Sequence, residues 1–415
     1  MTTVLLVLPT GTYRAAEYLD AARRLGVTVI TGSDRPQALL GAMGKHFVEL
    51  PLDDPLKTAD AIVRHAAALP VDAVVAVDDT GALGAAEAAG RLGLRHNPTA
   101  AVATTRDKIA MRRAFADAGV PQPDFAVALS DREVLAAAER IGFPVVVKPP
   151  SLAGSRGVIR ADDRDGLLSA AAWTRRILTA AGEPPDGPLL VEQLVTGAEV
   201  ALEGICSGGH LDVICVFDKP EPLEGPYFEE TIYVTPSRLD PAVLESVQMA
   251  AAAAVEAIGL REGPVHAELR AEGPRVLEVA ARTIGGRCSK ALSVGGGHSL
   301  EELVISRAAG VAGPAPELDR PAGILMVPIP RSGHLEGVRG IEAVRALPHV
   351  TGVEITIPRG KLVRALPEGE RYLGFAFAAA DTPEEVETAL RAAEALLEVD
   401  ISEVAEPPGG PATVA

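Results

Sequence analysis

Residues 264–286 read Pro-Val-His-Ala-Glu-Leu-Arg-Ala-Glu-Gly-Pro-Arg-Val-Leu-Glu-Val-Ala-Ala-Arg-Thr-Ile-Gly-Gly. Two apolar, alternating runs flank a Glu-Gly-Pro turn, the pattern of a β-hairpin. Each arm carries one carboxylate, Glu268 and Glu278. Arg282 follows Glu278 at i+4, so the two side chains share a strand face. Carboxylates on adjacent strands suit a hard divalent cation such as Mg²⁺, which prefers oxygen and bridges to phosphate. A guanidinium beside them can grip a carboxylate or phosphoryl group in bidentate fashion. Setting Glu268 opposite Glu278 predicts a five-residue connection, Ala271–Arg275. A four-residue connection would turn Glu278 to the other face.

Outward from the hairpin, the chain has 415 residues, and at ~150 residues per domain that length implies about three domains. Its 47% hydrophobic and 23% charged content is that of a globular protein with a large core. A net charge of −17 argues against nucleic acid, whose phosphates need a basic face. No apolar run approaches the ~18 residues of a membrane span. The start, Met-Thr-Thr-Val-Leu-Leu-Val-Leu-Pro, lacks a basic n-region and reads as a first strand. Cys206, Cys215 and Cys288 are too few and scattered for a disulfide framework, which points to a reducing cytoplasm.

The first hundred residues alternate strand and helix. Strands are expected at Val4–Leu8, Val27–Ile30, Phe47–Leu50 and Ala73–Val77, with helices at Tyr13–Leu25, Asp60–Leu69 and Gly84–Leu92. Such alternation means a parallel sheet with both faces covered. Its ligands lie beyond the carboxyl ends of the strands, here Thr10–Arg14 and Asp78–Thr80. No G-x-G-x-x-G follows the first strand, and residues 41–46 do not make a phosphate loop. A helix is expected at Asp107–Ala118, with Thr105 as its cap. Residues 125–194 read as a small α+β unit. Ser299 and Glu302 form a capping box for a helix at Leu300–Ala309. The linker Gly-Pro-Ala-Pro at 313–316 opens a third region, with strands at Gly323–Ile329, Val353–Ile357 and Leu373–Ala380 and a helix at Pro383–Leu397. The Pro/Gly-rich residues 406–415 are expected to be disordered.

Within the small unit, Phe143-Pro-Val-Val-Val-Lys148 delivers one lysine at the end of an apolar strand. The small-residue loop Ser151-Leu-Ala-Gly154-Ser155-Arg-Gly157 follows, and backbone N–H groups in such a loop can close over phosphates. Next, Leu190-Val-Glu192-Gln193-Leu194-Val195-Thr-Gly-Ala-Glu199 ends an apolar strand in an acid, continues through apolar residues and reaches a second acid. That arrangement suits an adenosine: backbone on the base edge, apolar side chains on its face, a carboxylate on the ribose. Further on, Glu229 and Glu230 lie in a polar, Pro/Gly-punctuated loop and could meet an ammonium group. His266 shares the face of Glu268. Gly285 and Gly286 allow a ligand to approach the backbone, Arg287 could grip a carboxylate, and Cys288 reads as inert. Gly295-Gly-Gly-His298-Ser299 leads into a helix N-terminus.

In this order — Asp107-Lys108, Lys148 with its loop, the Glu192…Glu199 hinge, two later glutamates and Arg282 — the motifs resemble the ATP-grasp superfamily. They are most similar to its carboxylate–amine ligases, the L-amino acid ligases of bacilysin type and carnosine synthase. The resemblance covers about residues 1–405. It implies a Rossmann-like pre-ATP-grasp domain at 1–98, an ATP-grasp domain at 99–310 with a lid subdomain at about 122–194, and a C-terminal α+β domain at 311–405. It also implies that Lys108 and Lys148 bind the phosphates and adenine side of ATP. The lid would be 151–157, including Ser151, Gly154, Ser155 and Gly157. Glu192, Gln193, Leu194, Val195 and Glu199 would hold the nucleoside, and Glu268 and Glu278 would ligate Mg²⁺ or Mn²⁺. Arg282 would steady an acyl phosphate and Arg287 a substrate carboxylate; Glu230, His266, Gly285 and Gly286 would meet substrate. Many superfamily members carry Asn two residues after the second glutamate; here that position is Ala280. The implied reaction joins a carboxylate to an amine with release of ADP and phosphate, in a cytoplasmic homodimer. The alternatives are a carboxyphosphate enzyme of the biotin-carboxylase or purine-biosynthesis kind and a non-catalytic nucleotide-binding paralogue.

Overall fold

The computed structural model describes residues 2–35, 46–184 and 186–403. The expectations for 41–45 and 406–415 lie outside the described residues.

Thr3–Val7, Thr28–Ser33, Phe47–Glu49 and Ala73–Ala76 form an all-parallel sheet in which Thr3–Val7 lies between Thr28–Ser33 and Ala73–Ala76. Thr3–Val7 and Ala73–Ala76 are near-continuous apolar runs, as suits a sheet with helices on both faces. Two of those helices begin a turn or more before their apolar periodicity does. Pro55–Ala68 starts where the Asp54 side chain accepts from the Leu56 and Lys57 amides, with Pro55 in the first turn. Asp79–Arg91 starts where Asp78 accepts from Thr80. Such caps supply partners to otherwise orphaned amides. Thus Asp78 and Asp79 form a helix start at the sheet rim, not a free loop. The second helix packs closely: a Cβ on Gly84 would come within 2.5 Å of Thr58 Cγ2, and one on Gly81 within 2.3 Å of Val7 Cγ1.

The small unit is a four-stranded antiparallel sheet ordered Phe125–Ala128, Leu189–Gln193, Val145–Lys148, Ile159–Ala161. Helices Asp131–Ile141 and Arg164–Ala180 cover one side of it. Helix Lys108–Ala118 precedes it; its cap is Asp107, not Thr105, since the Asp107 carboxylate accepts from Ile109 and Ala110.

An eight-stranded antiparallel sheet makes the body of the molecule. Its order is Arg275–Ala280, Glu262–Arg270, Glu199–Ser207, His210–Lys219, Ile232–Thr235, Ala322–Val327, Gly374–Ala379, Val350–Ile355. The strands after the Gly-Pro-Ala-Pro linker therefore continue the sheet that begins at the hairpin. A smaller sheet of Leu362–Val363, Gly333–Arg339 and Glu398–Ser402 packs beside them.

One helix, Pro241–Ile258, is long and apolar enough to span a membrane by length and composition, contrary to the sequence expectation. Its Val247, Ala250, Ala251, Ala254, Val255 and Ile258 pack onto Val265, Ala267 and Leu269 of the sheet. Glu245, Gln248, Met249 and Glu256 face outward. The amphipathic stripe is that of a helix resting on a core.

The decisive hairpin pairs Glu268 with Glu278 as expected, but by a different route. Arg270 pairs with Arg275, so the connection is the four residues 271–274. Leu269 pairs with Val276 and Glu268 with Glu278, leaving Leu277 as an extra residue. This β-bulge shifts the register by one. A four-residue connection alone would have turned Glu278 away; the bulge returns it to the face of Glu268.

Candidate active site

A cavity of about 690 Å³ opens where the parallel-sheet rim, the small unit and the hairpin end of the large sheet converge. Of the residues expected to form a site, Lys108, Lys148, Gly154, Ser155, Glu192, Gln193, Leu194, Val195, Glu199, Glu230, His266, Glu268, Glu278, Arg282, Gly285 and Gly286 line it. Ser151, Gly157 and Arg287 do not.

Lys148 leaves its strand pointing at Glu192, with Nζ 2.6 Å from Glu192 Oε2. The other carboxylate oxygen takes Arg112 Nε at 2.5 Å. Glu192 is 1% exposed and both its oxygens are engaged. Burial alone would raise its pKa, but Arg112 and Lys148 hold it down at about 2. So placed, the carboxylate orients Lys148 at the cavity. Arg112, one helical turn after Lys108, was not anticipated. Its Nη1 donates to the Val276 carbonyl at 3.1 Å and its Nη2 to Leu277 at 2.5 Å. Those carbonyls belong to the bulge, so one guanidinium ties the small unit to the irregularity that aims Glu278.

Lys108 Nζ donates to Glu278 Oε1 at 3.2 Å and to the Leu152 carbonyl at 2.8 Å. It thereby joins the glycine/serine loop to the hairpin. The loop is also held from outside: the Gly157 amide donates to Pro367 at 2.8 Å, and Arg156 pairs with Glu370 at 3.0 Å. Gly157 sits outside the cavity because its backbone makes this contact.

Glu268 faces two cations. His266 Nε2 lies 3.2 Å from it and Lys219 Nζ 3.4 Å. His266 also bonds Glu203 through Nδ1 at 2.6 Å, and Glu203 accepts the Ile284 amide at 3.0 Å. Burial works against charge on His266, but Glu203 and Glu268 more than offset it and push its pKa up to about 9. His266 thus bridges Glu203 and Glu268 and anchors the Glu268 carboxylate. Glu199 pairs with Lys219 at 2.7 Å and Arg270 at 3.0 Å.

Arg282 is gripped by the first sheet. Its Nε is 2.7 Å from Asp79 Oδ2, and Nη1 donates to the Thr283 carbonyl at 3.0 Å. Burial opposes the Arg282 charge and Asp79 favours it, with a net rise in pKa. Beside it, the buried Arg14 donates to Thr283 Oγ1 at 2.6 Å, to Val77 at 3.1 Å and to the Ile284 carbonyl. Asp79 and Arg14 both lie at the rim marked by the strand order, but no local pattern pairs them with residues two hundred positions later. Gly286 has φ +57°, and a Cβ there would sit 3.3 Å from both Met326 Sδ and Phe375 Cε1. Arg287 points elsewhere: Glu17 and Glu354 take its guanidinium, so it is not placed to grip a cavity ligand. Cys288 does reach the cavity wall, but burial pushes its thiol pKa well up, as expected of an inert cysteine.

Three family models match the chain: an ATP-grasp N-terminal domain over residues 19–96, an ATP-grasp domain over 141–291, and an L-amino acid ligase C-terminal domain 2 over 325–402. An alanine–anticapsin ligase of Bacillus subtilis (strain 168) is 29% identical over 248 residues, covering 55% of this chain and 52% of that protein. One of Bacillus amyloliquefaciens is 27% identical over 230 residues, covering 52% and 48%. The chain thus matches over about half the length of these relatives. The crystal structure of an L-amino acid ligase from Bacillus licheniformis superposes with a TM-score of 0.79 at 26% identity, over 97% of this chain and 99% of that one. A carboxyaminoimidazole ribonucleotide synthase from Aspergillus clavatus complexed with ATP shares the fold, with a TM-score of 0.73 at 17% identity over 95% and 98%.

Proposed function

The chain belongs to the ATP-grasp superfamily, and from that premise we propose that it is an ATP-dependent ligase joining a carboxylate, an amino acid by its relatives, to an amine through an acyl phosphate. The observation that carries this reading is the convergence of Glu268, Glu278, Lys108, Lys148 and Arg282 on one cavity, with Glu268 and Glu278 directly opposed. On this reading the chain divides into units at 1–98, 99–310 and 311–405.

Lys108 and Lys148 meet the phosphates, and the loop 151–157 covers them. Backbone at Gln193–Val195 meets the base, and the segment between Glu192 and Glu199 lines the nucleoside. The acidic pair suits a hard cation: both carboxylates are acceptor-only, both reach the cavity, and each already faces a cation. Glu268 and Glu278 would hold Mg²⁺ or Mn²⁺, which when bound supplies charge neutralisation at the phosphate oxygens. Ala280 contributes no side-chain oxygen, so Glu268 and Glu278 are the two hairpin carboxylates at the cavity.

A substrate carboxylate oxygen attacks the γ-phosphorus, and ADP leaves with the bridging oxygen. Arg282 sits where charge develops on the acyl phosphate and donates to it. The substrate ammonium held at Glu230 gives one proton to that carboxylate; the neutral amine attacks the acyl carbon, the C–O bond to phosphate breaks, and the departing phosphate takes the second proton. The protein positions groups and stabilises charge without bonding covalently.

A panel of amino-acid pairs tests this, with ADP release measured and hydroxylamine added to trap an acyl hydroxamate. AMP as the product ends the proposal. ADP release on bicarbonate alone would indicate carboxyphosphate chemistry instead. Glu278→Gln is expected to lower kcat by at least about a hundredfold and to weaken Mn²⁺ binding. Full turnover in that variant would remove the metal role from the hairpin.

A further inference from the structure

We infer that Lys219 is a resident cation that keeps the acidic floor of the cavity open to an ammonium group and closed to a second divalent metal ion. This deepens the ligase reading, since it assumes Glu230 takes the amine and Glu268 a metal.

Lys219 ends the strand His210–Lys219, and its side chain is 2% exposed. Its ammonium donates to Glu199 at 2.7 Å and Glu230 at 2.5 Å, and lies 3.4 Å from Glu268. The Tyr233 ring backs it, with its centroid 5.0 Å away. The three acids line the cavity, while Lys219 does not. It therefore serves them from behind and is not placed as a ligand contact.

Oxygens of Glu199, Glu230 and Glu268 all lie within 4.8 Å of one another, a spacing that can hold a metal ion. Glu268 is shared between this trio and the hairpin pair. A divalent ion drawn to Glu268 thus has two alternatives: inward with Glu278, or across to Glu230 and Glu199. Oxygen-rich clusters of high negative charge favour hard divalent ions over monovalent ones. From behind, the ammonium of Lys219 contacts all three acids and repels such an ion at short range in a low-dielectric setting. Arg270 further engages Glu199, and His266 engages Glu268. Among the described residues, Lys219 is the one ion-pair partner of Glu230. Glu230 retains its capacity to accept from a singly charged donor arriving from the cavity. The arrangement selects ligand charge: a substrate ammonium fits, a second metal does not.

Mn²⁺ counting tests this. Free Mn²⁺ is followed by electron paramagnetic resonance during titration of nucleotide-free wild type, Lys219→Met, Lys219→Gln and Lys219→Arg. Met and Gln are expected to gain one bound Mn²⁺ per chain over wild type, and Arg none. Adding Glu230→Gln to Lys219→Met is expected to remove the extra ion. In turnover, the amine KM of Lys219→Met is expected to rise about tenfold or more as Mn²⁺ is raised, the scale of one lost charge-assisted hydrogen bond, with kcat at saturating amine changing far less. Wild type is expected to show no such competition. Unchanged Mn²⁺ stoichiometry in folded Met or Gln variants overturns the inference, as does Mn²⁺ competition with amine in wild type. Because Mn²⁺ counting needs no turnover, a protein that ligates no amino acid but gains the extra ion would sink the ligase reading and the amine role with it, and leave the exclusion of a second metal by Lys219 standing.

Discussion

Replacing Arg282 by Met lowers ligation kcat by about 10²–10³-fold, the loss seen when a donor aimed at a developing oxyanion is removed. Nucleotide affinity stays within a few-fold of wild type, because Lys108 and Lys148 are untouched. The reason is geometric. The Arg282 side chain is mostly buried yet reaches the cavity, and Asp79 at 2.7 Å fixes its direction. Its uncommitted N–H groups remain available to a phosphoryl oxygen. Asp79→Asn keeps a hydrogen-bond acceptor but removes the charge, so it should lose less, and mostly in kcat. Steady-state ADP release with an amino-acid pair, set beside nucleotide binding by calorimetry, separates the two effects. If Arg282→Met loses nucleotide binding and kcat together, Arg282 holds ATP and does not act on the transition state.

Glu192→Gln destabilises the fold by about 3–5 kcal/mol, the cost of stripping one partner from buried ions. Arg112 is 2% exposed and loses its carboxylate, and Lys148 loses the same one. Arg112 then remains a buried, unpaired cation, and Lys148 loses its partner at the cavity wall. Chemical denaturation measures this as a lower midpoint with an unchanged slope. The pH dependence follows from the same pair of contacts. Folding lowers the Glu192 pKa from the usual 4.5 to about 2. The carboxylate's contribution is therefore complete above about pH 4.5 and fades as pH falls toward 2. That shift corresponds to about 3 kcal/mol. Wild type should lose this contribution across the window, whereas Glu192→Gln should lack that component of acid sensitivity. Equal stability of the two proteins at neutral pH would show that the triad contributes nothing net. Arg112 also holds the bulge carbonyls, so the variant should turn over slowly even where it folds.

The hairpin, its two acids, the lysine at the end of Val145–Lys148 and the parallel alternation of the first sheet were legible because each is a local pattern. Strand alternation has a period of two, and caps and turns act over three or four residues. The capping box Ser299–Glu302 formed as read, and Glu268 met Glu278 as the pairing required. The failures share a different cause. The bulged Leu277 has its carbonyl bound by Arg112, from a helix more than 160 residues earlier. The two cationic partners of Glu192, Arg112 and Lys148, are invisible in its own segment. Arg287 looked free until Glu17 and Glu354 closed on it.

The linear chain by itself determined which chemistry was on hand: paired carboxylates, a phosphate-type loop and lysines on strand and helix ends, since side-chain type and short periodicity are written residue by residue. Only the tertiary structure decided which charges neutralise one another and which remain open to a ligand. A charge's availability depends on what lies within a few ångströms, and here those neighbours come from distant strands, a bulge and a sheet rim that meet only when the chain is folded.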